Sequence, residues 1–158
     1  MYFRWGLLGA SAALVGGACQ DAGNRERYVS RDETGKVIAS VTLDQPLPDR
    51  DTTFVFDDSP SASGDSAPLT RPMTFLVAGA FRCHWSDLIT ICQTTEPTPT
   101  RVPIEGGGYV RRLSDDTILV SNTATGLSGD FSTFRGEKLV AFGVMDETGS
   151  VPWRYDAQ

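Results

Sequence analysis

Residues 138–155 read KLVAFGVMDETGSVPWRY, and this stretch decides the fold class. Two runs rich in β-branched and aromatic residues, Lys138–Met145 and Val151–Tyr155, meet across Asp146-Glu147-Thr148-Gly149. Asp, Thr and Gly supply turn geometry, so the stretch reads as a β-hairpin. The same tetrapeptide stands at 32–35, between Tyr28–Ser30 and Val37–Leu43. A third hairpin is read at Tyr109–Leu113 and Thr117–Ser121, joined by Ser114-Asp115-Asp116. The flanks of the two Asp-Glu-Thr-Gly copies do not match, so the repeat is read as reuse of a good turn. It is not the Asp-Thr-Gly of aspartic proteases, because Glu intervenes.

Further strands are expected at Thr53–Phe56, Met73–Phe81 and Leu88–Cys92. No stretch carries a helical apolar stripe over a dozen residues, and Phe131–Lys138 leaves room for one helical turn. The expected class is all-β: a small antiparallel sandwich or barrel of roughly eight strands with long irregular loops. Phe54 with Phe56, and Trp153 with Tyr155, share parity on their strands and mark one core face each. Two segments break the pattern. Residues 57–72 (DDSPSASGDSAPLTRP) and 94–103 (TTEPTPTRVP) are rich in Pro, Ser and Thr and read as soft surface loops.

Length and charge narrow the function classes. The chain has 158 residues, a net charge of −6 and a pI near 4.7. That length suits one domain, and the acidic balance argues against a nucleic-acid binder, which needs a basic face.

The first 18 residues carry an address. Arg4 is the only charged side chain there, and Trp5–Ala18 is an apolar or small run of 14 residues. A membrane span needs about 20. A short apolar run behind a positive N-terminus, ending in small residues, is the secretory signal pattern. Leu14, Val15, Gly17, Ala18 and Cys19 resemble the lipobox of bacterial lipoproteins, departing from it at Gly16, where that family usually has Leu. Ordinary signal cleavage after Ala18 is the competing reading. The resemblance implies a lipid on the sulfur of Cys19, which becomes the mature N-terminus. Gln20 in the following position leans toward the outer membrane, because in that family Asp there favours the inner one. The expected organisation is a signal peptide at 1–18, a lipidated N-terminus and tether at 19–27, and a single β domain at 28–158. The expected location is the periplasmic face of a bacterial cell envelope.

Cys83 and Cys92 fit each other. If the chain turns at Ser86–Ile89, then residue 85 faces 90, 84 faces 91 and 83 faces 92, the separation a disulfide needs across an antiparallel pair. Leu88 and Ile89 are poor tip residues, and a single long strand at 88–92 is the alternative; the disulfide survives either. An oxidising compartment lets such a bond persist.

Candidate chemistry is thin. His84 is the only histidine and sits beside Trp85, Ser86 and Asp87. Neighbouring side chains on one strand diverge, so these cannot form a Ser-His-Asp triad by themselves. His84 is read as a partly exposed loop residue, and His84, Trp85 and Asp87 as the candidate binding surface. Gly126-Leu127-Ser128-Gly129-Asp130 fails the nucleophile-elbow spacing, and no G-K-[ST] follows Gly106-Gly107-Gly108. The carboxylates between Asp44 and Asp65 lack EF-hand spacing and read as a solvated acidic face. No catalytic set, cofactor or metal site is expected. The leading expectation is a non-enzymatic interaction or binding module with the membrane and an envelope protein as partners. The alternatives are a periplasmic hydrolase using His84 or the acidic loop, and a carrier of a small apolar ligand.

Overall fold

The two Asp-Glu-Thr-Gly turns form as read and use the same atoms. Asp32 Oδ1 accepts the Thr34 N–H at 2.9 Å, the Thr34 hydroxyl at 2.6 Å and the Lys36 N–H at 3.0 Å. Asp146 Oδ1 accepts the Thr148 N–H, the Thr148 hydroxyl and the Ser150 N–H at 2.9, 2.6 and 3.0 Å. Gly35 and Gly149 complete the turns at φ of 85° and 82°, a region costly for a residue with a Cβ. The Thr hydroxyls hold both aspartate pKa values below the usual carboxylate range.

The structure is a computed structural model that describes residues 25–57, 69–97, 101–104, 108–122 and 126–158. Its described residues form twelve strands and no helix. These are β1 (Arg25–Arg31), β2 (Val37–Asp44), β3 (Thr52–Asp57), β4 (Leu69–Ala78), β5 (Phe81–Trp85) and β6 (Thr90–Thr94). They continue with β7 (Val102–Ile104), β8 (Gly108–Arg112), β9 (Thr117–Ser121), β10 (Gly129–Arg135), β11 (Lys138–Met145) and β12 (Trp153–Ala157). All pair antiparallel in one sheet ordered β6-β5-β4-β3-β2-β1-β12-β11-β10-β9-β8-β7. Two six-stranded meanders thus join where β1 pairs with β12. The sheet curls into a half-barrel, and β6 at one end packs across β9 and β10.

β4 makes the bend. Its first half pairs with β3, from Thr52 opposite Met73 to Phe56 opposite Leu69, and its second half with β5, from Thr74 opposite Trp85 to Ala78 opposite Phe81. The strand changes partner midway and carries the β5–β6 hairpin inside the curl, where both its faces are covered. On one side Ile89 and Ile91 join Tyr28, Val41, Leu43, Phe54, Met73, Leu139, Phe142 and Tyr155. On the other, Phe81, Cys83 and Cys92 join Ala78, Ile104, Val110, Ile118 and Val120. Each large apolar side chain so buried contributes about 1.5–3 kcal/mol.

Of the aromatic residues read as core, Phe54 and Tyr155 are buried and Phe56 and Trp153 pack half-buried against them. Phe54 meets Phe56 edge-on with ring centres 5.3 Å apart, and Trp153 meets Tyr155 at 4.8 Å. Tyr28 and Tyr155 pack on Phe142 at 5.4 and 5.3 Å. The Tyr28 hydroxyl donates to the Leu139 carbonyl at 2.7 Å, so burial leaves it satisfied and pushes its pKa well up.

The expected all-β class and the three hairpins are present, but the strand count and closure differ. There are twelve described strands instead of about eight, in one curled sheet and not a two-sheet sandwich. The run expected as one strand at Met73–Phe81 is two, because the chain reverses at Gly79 (φ 58°) and Ala80. Phe131–Lys138, read as room for a helical turn, is the end of β10 and the turn into β11. Arg25–Arg27, expected at the end of a tether, are strand and pair with Thr42–Asp44. Both soft loops are trimmed by strand, β4 beginning at Leu69 and β7 at Val102. The expected signal peptide at 1–18, Cys19, residues 58–68 and residues 98–100 lie outside the described residues.

Candidate functional site

The register inferred for the cysteines is the one observed. Trp85 faces Thr90, His84 faces Ile91 and Cys83 faces Cys92, with the two sulfurs joined in a disulfide and both residues fully buried. The tip works in spite of Leu88 and Ile89 because Ser86 caps it. Its Oγ accepts the Leu88 and Ile89 N–H groups at 3.2 and 2.9 Å and donates to the Ile89 carbonyl at 2.7 Å. Ile89 turns into the core and Leu88 stays exposed.

The proposed surface triplet is split apart. His84 is not a partly exposed loop residue; it sits on β5 with no exposed surface, because the hairpin is enclosed on both faces. Its ring tilts against Phe75 at 5.3 Å, and Nε2 lies 2.7 Å from the Pro48 carbonyl. A carbonyl only accepts, so Nε2 carries the proton and donates. Burial lowers the His84 pKa, which keeps the ring neutral at neutral pH. Trp85 points the other way and is exposed. Asp87, at the exposed tip, pairs with Arg71 at 3.3 Å.

His84 instead serves a different site. Pro48 belongs to the β2–β3 connection, residues 45–51, which four attachments hold against the sheet. Gln45 Oε1 accepts the Leu139 N–H at 3.2 Å, His84 holds the Pro48 carbonyl, Asp49 pairs with Arg82, and Asp51 accepts the Phe75 N–H at 2.8 Å. The connection forms one wall of a polar cleft of about 770 Å³ at one end of the half-barrel. The start of β5, the end of β6, the β8–β9 turn and the β10–β11 turn form the rest. That volume falls within the range of small-molecule sites, roughly 300–1,000 Å³.

The cleft is charged on both sides. Its lining carries five carboxylates (Asp44, Asp49, Asp115, Asp116, Glu137) and three guanidinium groups (Arg50, Arg82, Arg112). Asp44 pairs with Arg25 at 3.1 Å. Asp116 accepts the Ser114 and Thr117 hydroxyls at 2.9 and 3.0 Å, which hold its pKa down. Among the described residues Arg112 contacts no carboxylate: it donates to the backbone carbonyls of Glu96 at 2.6 Å and Asp115 at 3.0 Å. Among the described residues Arg50, Asp115 and Glu137 make no side-chain ion pair or hydrogen bond. Gln45 is only 6% exposed, and its Nε2 donor has no partner.

Of the carboxylates read as a solvated acidic face, Asp44 and Asp49 line this cleft and Asp51 fastens its wall. Arg82, Arg112 and Glu137 went unnoticed as a group, because they come from three distant segments. The only local signal was the pair Pro46 and Pro48, which interrupts the strand pattern after Asp44. Space inside the apolar core is far smaller, about 10 Å³ beside Phe54, Met73 and Phe142. Comparisons with known protein families, with curated proteins and with solved structures find no match.

Proposed function

We propose that this chain is an exported, lipid-anchored domain of a bacterial cell envelope that works by binding, with the polar cleft as its binding site. The observation that carries the reading is the cleft's position. β1 starts at Arg25, whose register partner is Asp44 on the cleft wall, so the tether leaves the domain at the cleft end. From Cys19 to Arg25 the chain spans at most about 20 Å. A lipid at Cys19 would therefore hold the cleft close to the bilayer, on the periplasmic face of the outer membrane, with the β5–β6 tip turned away.

Binding is preferred to hydrolysis because His84 is buried, with Nε2 engaged by Pro48. It is preferred to apolar carriage because the core is filled while the cleft is polar. Mass spectrometry of the mature N-terminus tests the anchor. Cys19 bearing a diacylglyceryl group and an amide-linked acyl chain is expected. An unmodified Cys19, or a mature chain lacking it, removes the anchor from the reading.

A further inference from the structure

We propose that the cleft takes a dipolar ligand, one bearing a primary ammonium and an oxyanion a few bonds apart, as in a phosphoethanolamine headgroup. The proposal rests on the binding role given to the cleft above. Its argument is the pattern of compensated and uncompensated charge. Asp49 and Asp44 are neutralised by Arg82 and Arg25. Arg112 is not: two carbonyls fix its guanidinium in place and leave its full charge, and its buried Nε is unpartnered. Arg50 is likewise unpaired, as are Asp115 and Glu137 on the β8–β9 and β10–β11 turns.

A simple anion would meet Arg112 and Arg50 but face the three carboxylates that no guanidinium pairs, Asp115, Asp116 and Glu137. A simple cation would leave Arg112 unanswered. A ligand with both charges satisfies both sets, and hydrogen bonds in which donor or acceptor is charged are the stronger kind. Gln45 adds a second, independent pointer. A nine-tenths buried amide that lines the cleft and leaves its Nε2 donors unused is a group for which a ligand oxygen would be the partner. Two sources present this chemistry: the phosphoethanolamine headgroup of a bilayer, toward which the tether would direct the cleft, and the termini of a short peptide.

Isothermal titration of the purified protein with glycerophosphoethanolamine, glycerol 3-phosphate, ethanolamine and glycylglycine tests the proposal. The expected result is saturable binding of glycerophosphoethanolamine, about tenfold or more tighter than either of its halves. Arg112→Gln should weaken glycerophosphoethanolamine and glycerol 3-phosphate but leave ethanolamine unchanged. Glu137→Gln, on an exposed turn, should weaken glycerophosphoethanolamine and ethanolamine but leave glycerol 3-phosphate unchanged, with urea midpoints unchanged. Glycylglycine binding as tightly as glycerophosphoethanolamine supports the dipolar site and assigns it to a peptide; much weaker binding assigns it to the headgroup. No saturable binding of either dipolar compound, or equal affinity for glycerol 3-phosphate alone, overturns it. These soluble ligands bind whether or not Cys19 is lipidated, so failure here and failure of the anchor are separate results.

Discussion

The carboxylate of Asp130, on β10, accepts the backbone N–H of Thr90, on β6, at 2.8 Å, across the interior of the half-barrel and not along the sheet. It ties the enclosed hairpin to the opposite meander where β6 crosses β10. The bond has a cost. Asp130 is largely desolvated, and this raises its pKa from 3.8 to about 6, the Thr90 N–H opposing the shift only in part.

Replacing that charge should stabilise the protein at neutral pH. A carboxyl whose folded pKa is raised favours the folded state below the unfolded value, here 3.8, and that advantage is lost as pH rises through about 6. The displacement corresponds to at most about 3 kcal/mol. Asp130→Asn keeps an oxygen for the Thr90 N–H and removes the titration. Urea unfolding across pH should show Asn more stable than Asp at pH 7.5 and the two converging below pH 4. A difference independent of pH would refute the account.

His84 should act in the opposite sense. Its folded pKa is lowered by burial, so the folded state favours the neutral ring. Stability from this group is full above 6.5 and falls as pH drops below it, because the unfolded chain then binds the proton more readily. His84→Phe leaves the Pro48 carbonyl without its donor at a cost of about 1–3 kcal/mol at pH 7.5. It should also flatten the fall in stability below pH 6.5. Because His84 holds the cleft wall, ligand affinity should drop in the same variant.

The disulfide should be silent to reagents until the fold opens. Cys83 and Cys92 have no exposed surface and close a loop of about 10 residues, for which chain entropy predicts about 2–3 kcal/mol. Alkylation without reductant should label neither. Reduction in denaturant should add two labels. The double Ala variant should lower the urea midpoint, and labelling of either thiol in the unreduced protein would count against the bond.

Gly143 stands mid-strand in β11, opposite Phe131 and Arg154. A Cβ there would collide with the Trp153 carbonyl oxygen on β12 and press on the Phe131 ring at 3.0 Å. Backbone cannot yield as a side-chain end can, so Gly143→Ala should cost about 1–3 kcal/mol. Gly35→Ser, at an open turn, meets no atoms and carries only the strain of its positive φ; thermal melts of the two separate crowding from strain.

Local chemistry alone determined a good deal about this protein. The Asp-Glu-Thr-Gly turns depend on atoms within five residues, and the register of Cys83 with Cys92 follows from period 2 and the position of one turn. Parity likewise placed Phe54 with Phe56, and Trp153 with Tyr155, on the core faces of their strands. The tertiary structure decided what depends on residues far apart in the chain. The reversal at Gly79 hides inside a continuous apolar run, because the β5–β6 hairpin beyond it is buried on both faces and shows no alternation. That same enclosure, produced by β4 changing partners, buries His84 and makes it a support for Pro48 in place of a surface residue. The cleft was illegible for the corresponding reason. Gln45, Arg82, Arg112 and Glu137 share no spacing, and only the curl of the sheet brings their four segments to one end.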